Sequence, residues 1–169
     1  SFGIADTTVR YYIDILTDTF MIRQLQPWMT NLKKRQIKRP KIYFRDSGLF
    51  HTLQGIKNYK ELISHPKLGA SWEGFALESV ISHFSISPEE VFFWGVHSQC
   101  ELDLFFKLRS KRIGVEFKFS DHPKLKKEMK TVAEYLKLDH LYCIFPGHRL
   151  FVMDKNITAC GLSSLQKLG

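Results

Sequence analysis

Two alternating apolar segments joined by a basic turn restrict this chain more than any other feature. Glu101 to Phe106 and Arg112 to Phe119 flank the turn Arg109-Ser110-Lys111-Arg112. Alternation with a period of two marks a strand with one buried face, so the pattern predicts a hairpin. Glu116 and Lys118 then share one face, while Val115, Phe117 and Phe119 share the other. Asp103 lies on the first strand, with Leu102 and Leu104 opposite to it, which places Asp103 and Glu116 near enough to share a metal ion. Such a trio suits metal-assisted phosphodiester cleavage. Hard carboxylate oxygens hold Mg²⁺ or Mn²⁺, and a lysine orients the attacking water and offsets developing charge. The plainer alternative is a solvated hairpin surface, where Glu and Lys often alternate.

The flanking elements extend the pattern. Gly69 to Phe84 predicts an amphipathic helix with Trp72, Phe75, Ala76, Ser79, Val80 and His83 on its inner stripe. A strand at Val91 to Trp94 precedes the hairpin. A helix over Pro123 to Leu138 follows it, then a strand at Leu141 to Phe145 and the start of another at Leu150 to Met153. The order is αβββαβ. The first helix carries two glutamates, Glu73 and Glu78. Five residues apart, the two project about 140° from each other, so they are not equivalent. Trp72, Trp94 and the Phe residues fall on periodic faces, which favours core packing over base stacking.

The first 56 residues differ in character. Asp6 to Leu16 predicts a helix capped by Asp6, and Phe20 to Leu25 and Lys41 to Phe44 predict strands around a polar stretch, Thr30 to Pro40. That order is the trailing half of a winged helix. Asp46 caps a short helix, Ser47 to Leu53. The expected division is therefore 1–56, a partial winged-helix region, and 57–169, an α/β domain. Lys33, Lys34, Arg35, Lys38 and Arg39 in the wing, with Thr7, Thr8 and Arg10 on the helix, are the candidate nucleic-acid contacts. A solvated basic linker is the competing reading.

Lys and Arg total 25 against 17 Asp and Glu, a formal charge of +8 with a pI near 9.4, which favours a polyanionic partner such as DNA. Three cysteines without C-x-x-C spacing predict reduced, mostly buried thiols in a cytoplasmic protein and indicate neither a zinc knuckle nor a disulfide frame. No apolar run approaches a membrane span, and there is no G-x-x-x-x-G-K-[ST] phosphate loop. No paired histidines suggest zinc, and no serine has a neighbouring base. Ser1 is not a start methionine, and the expectation is a piece of a longer protein.

The strings Tyr43-Phe44-Arg45-Asp46-Ser47-Gly48-Leu49, His65 to Phe75 and Glu116-Phe117-Lys118 resemble a C-terminal domain of unknown function. That domain follows the ATPase module in a prokaryotic group of AAA-type ATP-binding proteins. Ser1 to Trp28 resembles the segment linking the two. The chemistry-bearing letters resemble the PD-(D/E)XK nuclease superfamily, with Glu101 and Leu102 standing where its first two letters would be. The resemblance implies a nuclease-like αβββαβ core and a cytoplasmic ATPase parent. ATP would bind only in the upstream module, and that parent would be the route to any oligomer. In this frame Asp103 and Glu116 would hold Mg²⁺ or Mn²⁺, with Lys118 and Glu73 completing the catalytic set. The expected function is a nucleic-acid-associated module that binds without turnover as a fragment. The alternatives are an active Mg²⁺-dependent endonuclease and an inactive nuclease fold serving as a protein-interaction scaffold.

Overall fold

The computed structural model of the protein describes residues 5–28, 39–96 and 100–168. The chain runs α1 (Asp6–Asp18), β1 (Ile22–Pro27), β2 (Lys41–Phe44), α2 (Ser47–Leu53), α3 (Tyr59–Ser64) and α4 (Leu68–Phe84). It continues with β3 (Phe92–Val96), β4 (Cys100–Leu108), β5 (Lys111–Phe117), α5 (Lys127–Tyr135), β6 (His140–Phe145), β7 (Leu150–Asp154) and β8 (Ile157–Gly161). The strands form one mixed, eight-stranded sheet in the order β2-β1-β3-β4-β5-β6-β8-β7.

The centre of the sheet is the antiparallel run β3-β4-β5. Helix α5 then carries the chain across to β6, which lies parallel to β5 through the register Glu116↔Cys143. That is the crossover that parallel neighbours require. Strand β8 is parallel to β6, and β7 closes that edge antiparallel to β8. At the other edge β1 runs parallel to β3 through Gln26↔Phe92 and Pro27↔Phe93, and β2 pairs antiparallel with β1. The N-terminal hairpin thus belongs to the same sheet as the hairpin read first from sequence.

Each face of the sheet carries its own core. On one, Trp72, Ala76, Leu77 and Val80 of α4 pack in a cluster with Phe93, Phe106, Ile113 and Val115. On the other, Met129, Val132, Ala133 and Leu136 pack with Leu102, Phe105, Leu141 and Ala159. Each fully buried Leu or Phe contributes roughly 1.5–3 kcal/mol, which fixes both helices on the sheet. Gly114 permits the close fit under the second face, since a Cβ there would stand 2.5 Å from Leu138 Cδ1.

One irregularity matters for the site. Phe92 pairs with Phe105 and Trp94 with Leu102, so Asp103 and Leu104 together oppose Phe93 alone. This is a β-bulge, which bends a strand and re-aims a side chain. It overturns the strict alternation expected of β4. Leu102 packs beneath α5, whereas Leu104 packs beneath α4.

Several boundaries also differ from expectation. Phe119 is 54% exposed, because β5 ends at Phe117 and its alternation does not extend that far. Phe75 is likewise 54% exposed, while Leu77 and Ile81 take the buried stripe of α4. Helix α5 begins only at Lys127, after residues 123–126, which form no regular element and end on an extended Lys126. Ala5, not Asp6, is the N-cap of α1, with Asp6 in the first turn, where its carboxylate complements the helix dipole. Strand β1 starts at Ile22, after a left-handed Phe20 at φ 60°. Asp46 does cap α2, accepting the Leu49 N–H through Oδ1 at 2.6 Å.

An ion pair locks the N-terminal hairpin to α4. Arg23 of β1 donates to Glu78 through Nε at 2.5 Å and Nη2 at 2.9 Å. Arg45 Nε approaches the second Glu78 oxygen at 3.5 Å. This two-pronged geometry gives Glu78 a structural partner on β1, next to the Tyr43 of β2 that bonds Glu73.

Candidate functional site

Glu73, Asp103, Glu116 and Lys118 come together from α4, β4, β5 and the residue after β5. They line an open cleft of about 660 Å³ with Lys41, Glu101, Lys126, Glu128 and Met129. Each is placed by ordinary folding forces. The buried stripe of α4 turns Glu73 toward the sheet end, and the bulge presents Asp103. The β5–β6 register puts Glu116 beside Cys143. The Asp103 carboxylate also ties β4 to β5 beyond their last paired rung, Leu104↔Val115, because Oδ2 accepts the Phe117 N–H at 3.0 Å.

Three lysines face five carboxylates around this cleft, an excess of two negative charges when all are ionised. Glu116 is buried and bonded to Lys118, Oε2 to Nζ at 2.8 Å. Burial, reinforced by the Asp103 charge, raises the Glu116 carboxyl to about 7, although Lys118 opposes the shift. Burial also raises Glu73, with Asp103 adding to it and a Tyr43 hydrogen bond opposing. For Lys118 burial works downward, but Glu116 and then Asp103 outweigh it, and the ammonium ends above its ordinary value. Burial pushes the Cys143 thiol up to about 12, so no thiolate is on offer and the donors are all hard oxygens.

Among the described residues, no group of three or more His, Cys, Asp or Glu side chains is arranged to hold a metal ion. The reason is visible in the cleft. The Lys41 ammonium contacts Glu101 and lies 3.5 Å from Asp103 Oδ1 and 3.8 Å from Glu73 Oε1. The Tyr43 hydroxyl donates to Glu73 Oε1 at 2.5 Å. The donor chemistry and the charge excess suit a hard divalent cation, while the side chains stand drawn toward a lysine.

Lys41, Tyr43 and Glu101 were not among the residues assigned to the site from sequence. The Lys41-x-Tyr43 spacing puts both on one face of a strand, a usable signal. Nothing local says which partners that face meets. Of the candidate nucleic-acid contacts, Thr7, Thr8 and Arg10 are exposed on α1, and Arg39 is exposed just ahead of β2. Lys33, Lys34, Arg35 and Lys38 lie outside the described residues. No described helix is long and apolar enough to cross a membrane.

Residues 1–60 match a family described as domain of unknown function DUF8612. Residues 68–165 match domain of unknown function DUF4143. Two curated relatives, uncharacterized protein Rv2008c of Mycobacterium tuberculosis and uncharacterized protein Mb2031c of Mycobacterium bovis, are each 40% identical over 159 residues. The match covers 94% of this chain and 36% of either relative, so the chain spans about a third of their length. No solved structure matches. With its site and most of its sheet inside the second match, the chain belongs to the DUF4143 family.

Proposed function

We propose that this chain is the nucleic-acid-associated C-terminal module of a cytoplasmic AAA-type ATPase, with a nuclease-like cleft that takes Mg²⁺ or Mn²⁺. The observation that carries the reading is the convergence of Glu73, Asp103, Glu116 and Lys118 on one open, acid-lined cleft. Asp103 and Glu116 would hold the cation, and Glu73 would complete its surroundings from α4. The bound ion would supply charge for a phosphodiester oxygen and an acidified water. Lys118, two residues beyond Glu116, would position the nucleophile once Glu116 no longer holds its charge. The formal charge of +8 favours a polyanionic partner, with Arg10 and Arg39 among the exposed cations.

The fragment is expected to bind without appreciable turnover, since cleavage depends steeply on how well the scissile phosphate is positioned. The test pairs Mn²⁺ titration calorimetry with cleavage of linear, branched and single-stranded DNA. Asp103→Ala should abolish the binding heat. Equal heats in the two proteins would remove the metal from the reading. Robust cleavage that disappears in Lys118→Ala would promote the module to an active endonuclease.

A protein-docking role is favoured by a separate observation. Helix α1 buries none of its residues, and Val9, Tyr12, Ile15 and Leu16 form an exposed apolar row at helical spacing.

A further inference from the structure

The Lys41 side chain is no ordinary surface lysine. It comes from an edge strand and is only 25% exposed, and its ammonium lies over the Phe93 ring, 5.4 Å from the centroid, within the carboxylate cleft. There its ammonium is surrounded by Glu73, Glu101 and Asp103. Tyr43, two residues on along the same face of β2, holds Glu73 as well. One strand therefore contributes both a charge and a hydroxyl to carboxylates carried by α4 and β4.

We infer that Lys41 is the resident cation of the Glu73–Glu101–Asp103 basin, and that a divalent ion enters only by displacing it. This rests on reading the cleft as a cation site. The physical conflict is direct. A hard divalent ion requires oxygens at about 2.0–2.6 Å, so it competes with the Lys41 ammonium for Asp103 Oδ1. Two cations sharing a carboxylate at such range repel strongly. A single positive charge also leaves the basin electronegative, so the lysine occupies it without neutralising it.

The position of Lys41 makes displacement feasible. Among the described strands β2 pairs only with β1, and Lys41 pairs with Leu25 at the last rung of that ladder. The ammonium can withdraw without breaking the β3–β4–β5 core. Metal loading is thereby linked to the seat of β2. A ligand drawing Lys41 outward, such as a phosphate, would raise affinity for the ion.

The test compares Mn²⁺ calorimetry on the wild type, Lys41→Met and Lys41→Arg with amine-reactive labelling of wild-type Lys41, read by mass spectrometry. Lys41→Met keeps the apolar stem over Phe93 and removes the charge, and should tighten Mn²⁺ binding by about tenfold or more. Lys41→Arg should stay near wild type. Saturating Mn²⁺ should increase labelling of Lys41 while leaving Lys107 unchanged. Measurable but equal affinities, weaker binding in Lys41→Met, or labelling indifferent to Mn²⁺ would overturn the inference and leave the metal site standing. Absence of binding in all three folded proteins would overturn the metal reading and this inference together.

Discussion

Replacing Glu116 with Gln should make the protein more stable at neutral and alkaline pH. The Glu116 carboxyl is raised from 4.5 to about 7, chiefly by burial and then by Asp103. A raised carboxyl means that the folded chain holds the proton more tightly than the unfolded chain. Between pH 4.5 and 7 the native state therefore binds more protons, and stability contributed by this group falls as pH rises. At about 1.4 kcal/mol per unit the full loss is about 3 kcal/mol, complete above pH 7. The Lys118 ion pair is already included in that net shift. Gln cannot ionise, so the Glu116→Gln protein escapes the loss. Urea unfolding of both proteins at pH 5, 6, 7 and 8 should show the variant gaining steadily on the wild type, with the gap levelling above pH 7. A difference that does not vary with pH would refute the argument, as would a variant that is relatively less stable at pH 8. Saturating Mn²⁺ should narrow the gap by stabilising the ionised Glu116 of the wild type.

Glu78→Ala should cost about 3 kcal/mol in urea unfolding, because it strands the buried Arg23 guanidinium without its carboxylate. Arg23→Met should cost less, since Arg45 still faces Glu78 and the methionine stem fills the same space. Gly161→Ala should lower stability by about 2 kcal/mol, as the added Cβ would meet the Gly147 carbonyl oxygen at 2.4 Å and backbone cannot step aside. If Lys33 to Lys41 meets about four phosphates, log affinity for DNA should fall against log salt with a slope near −3.6. Replacing Lys33, Lys34 and Arg35 with Ala should flatten that slope, and an unchanged slope would assign those charges to solubility.

The carboxylate cleft was legible where chemistry followed local periodicity. Glu116 and Lys118 could be placed because β5 alternates cleanly through Phe117. Glu73 is preferred to Glu78 on the resemblance to the nuclease superfamily, helix geometry saying only that the two are not equivalent. The structure puts Glu73 in the cleft and Glu78 on Arg23. Asp103 was found for an incomplete reason. It reaches the site through a one-residue bulge, which no repeat of two foretells. Lys41 and Tyr43 stayed hidden because the contact that delivers them is long-range. The parallel pairing of β1 with β3, across more than sixty residues, carries β2 to the cleft, and the Arg23–Glu78 pair holds it there. Phe75 and Phe119 misled for the opposite reason, since each continues an apolar rhythm beyond the surface that its element buries.

The pairing of β1 with β3 also bears on how such chains are inherited. The two family matches meet between residues 60 and 68, as though two modules had been joined there. The hydrogen bonds cross that seam: Gln26 and Pro27 lie against Phe92 and Phe93, and Arg23 grips Glu78. A gene split at the seam would release a downstream product whose β3 has become a bare, apolar border open to strangers. It would also lose Lys41 and Tyr43, and its carboxylates would meet solvent ions unescorted. Recombination that shuffles the downstream half alone is therefore expected to yield sticky proteins. Descent with the upstream half attached is the arrangement that this sheet enforces.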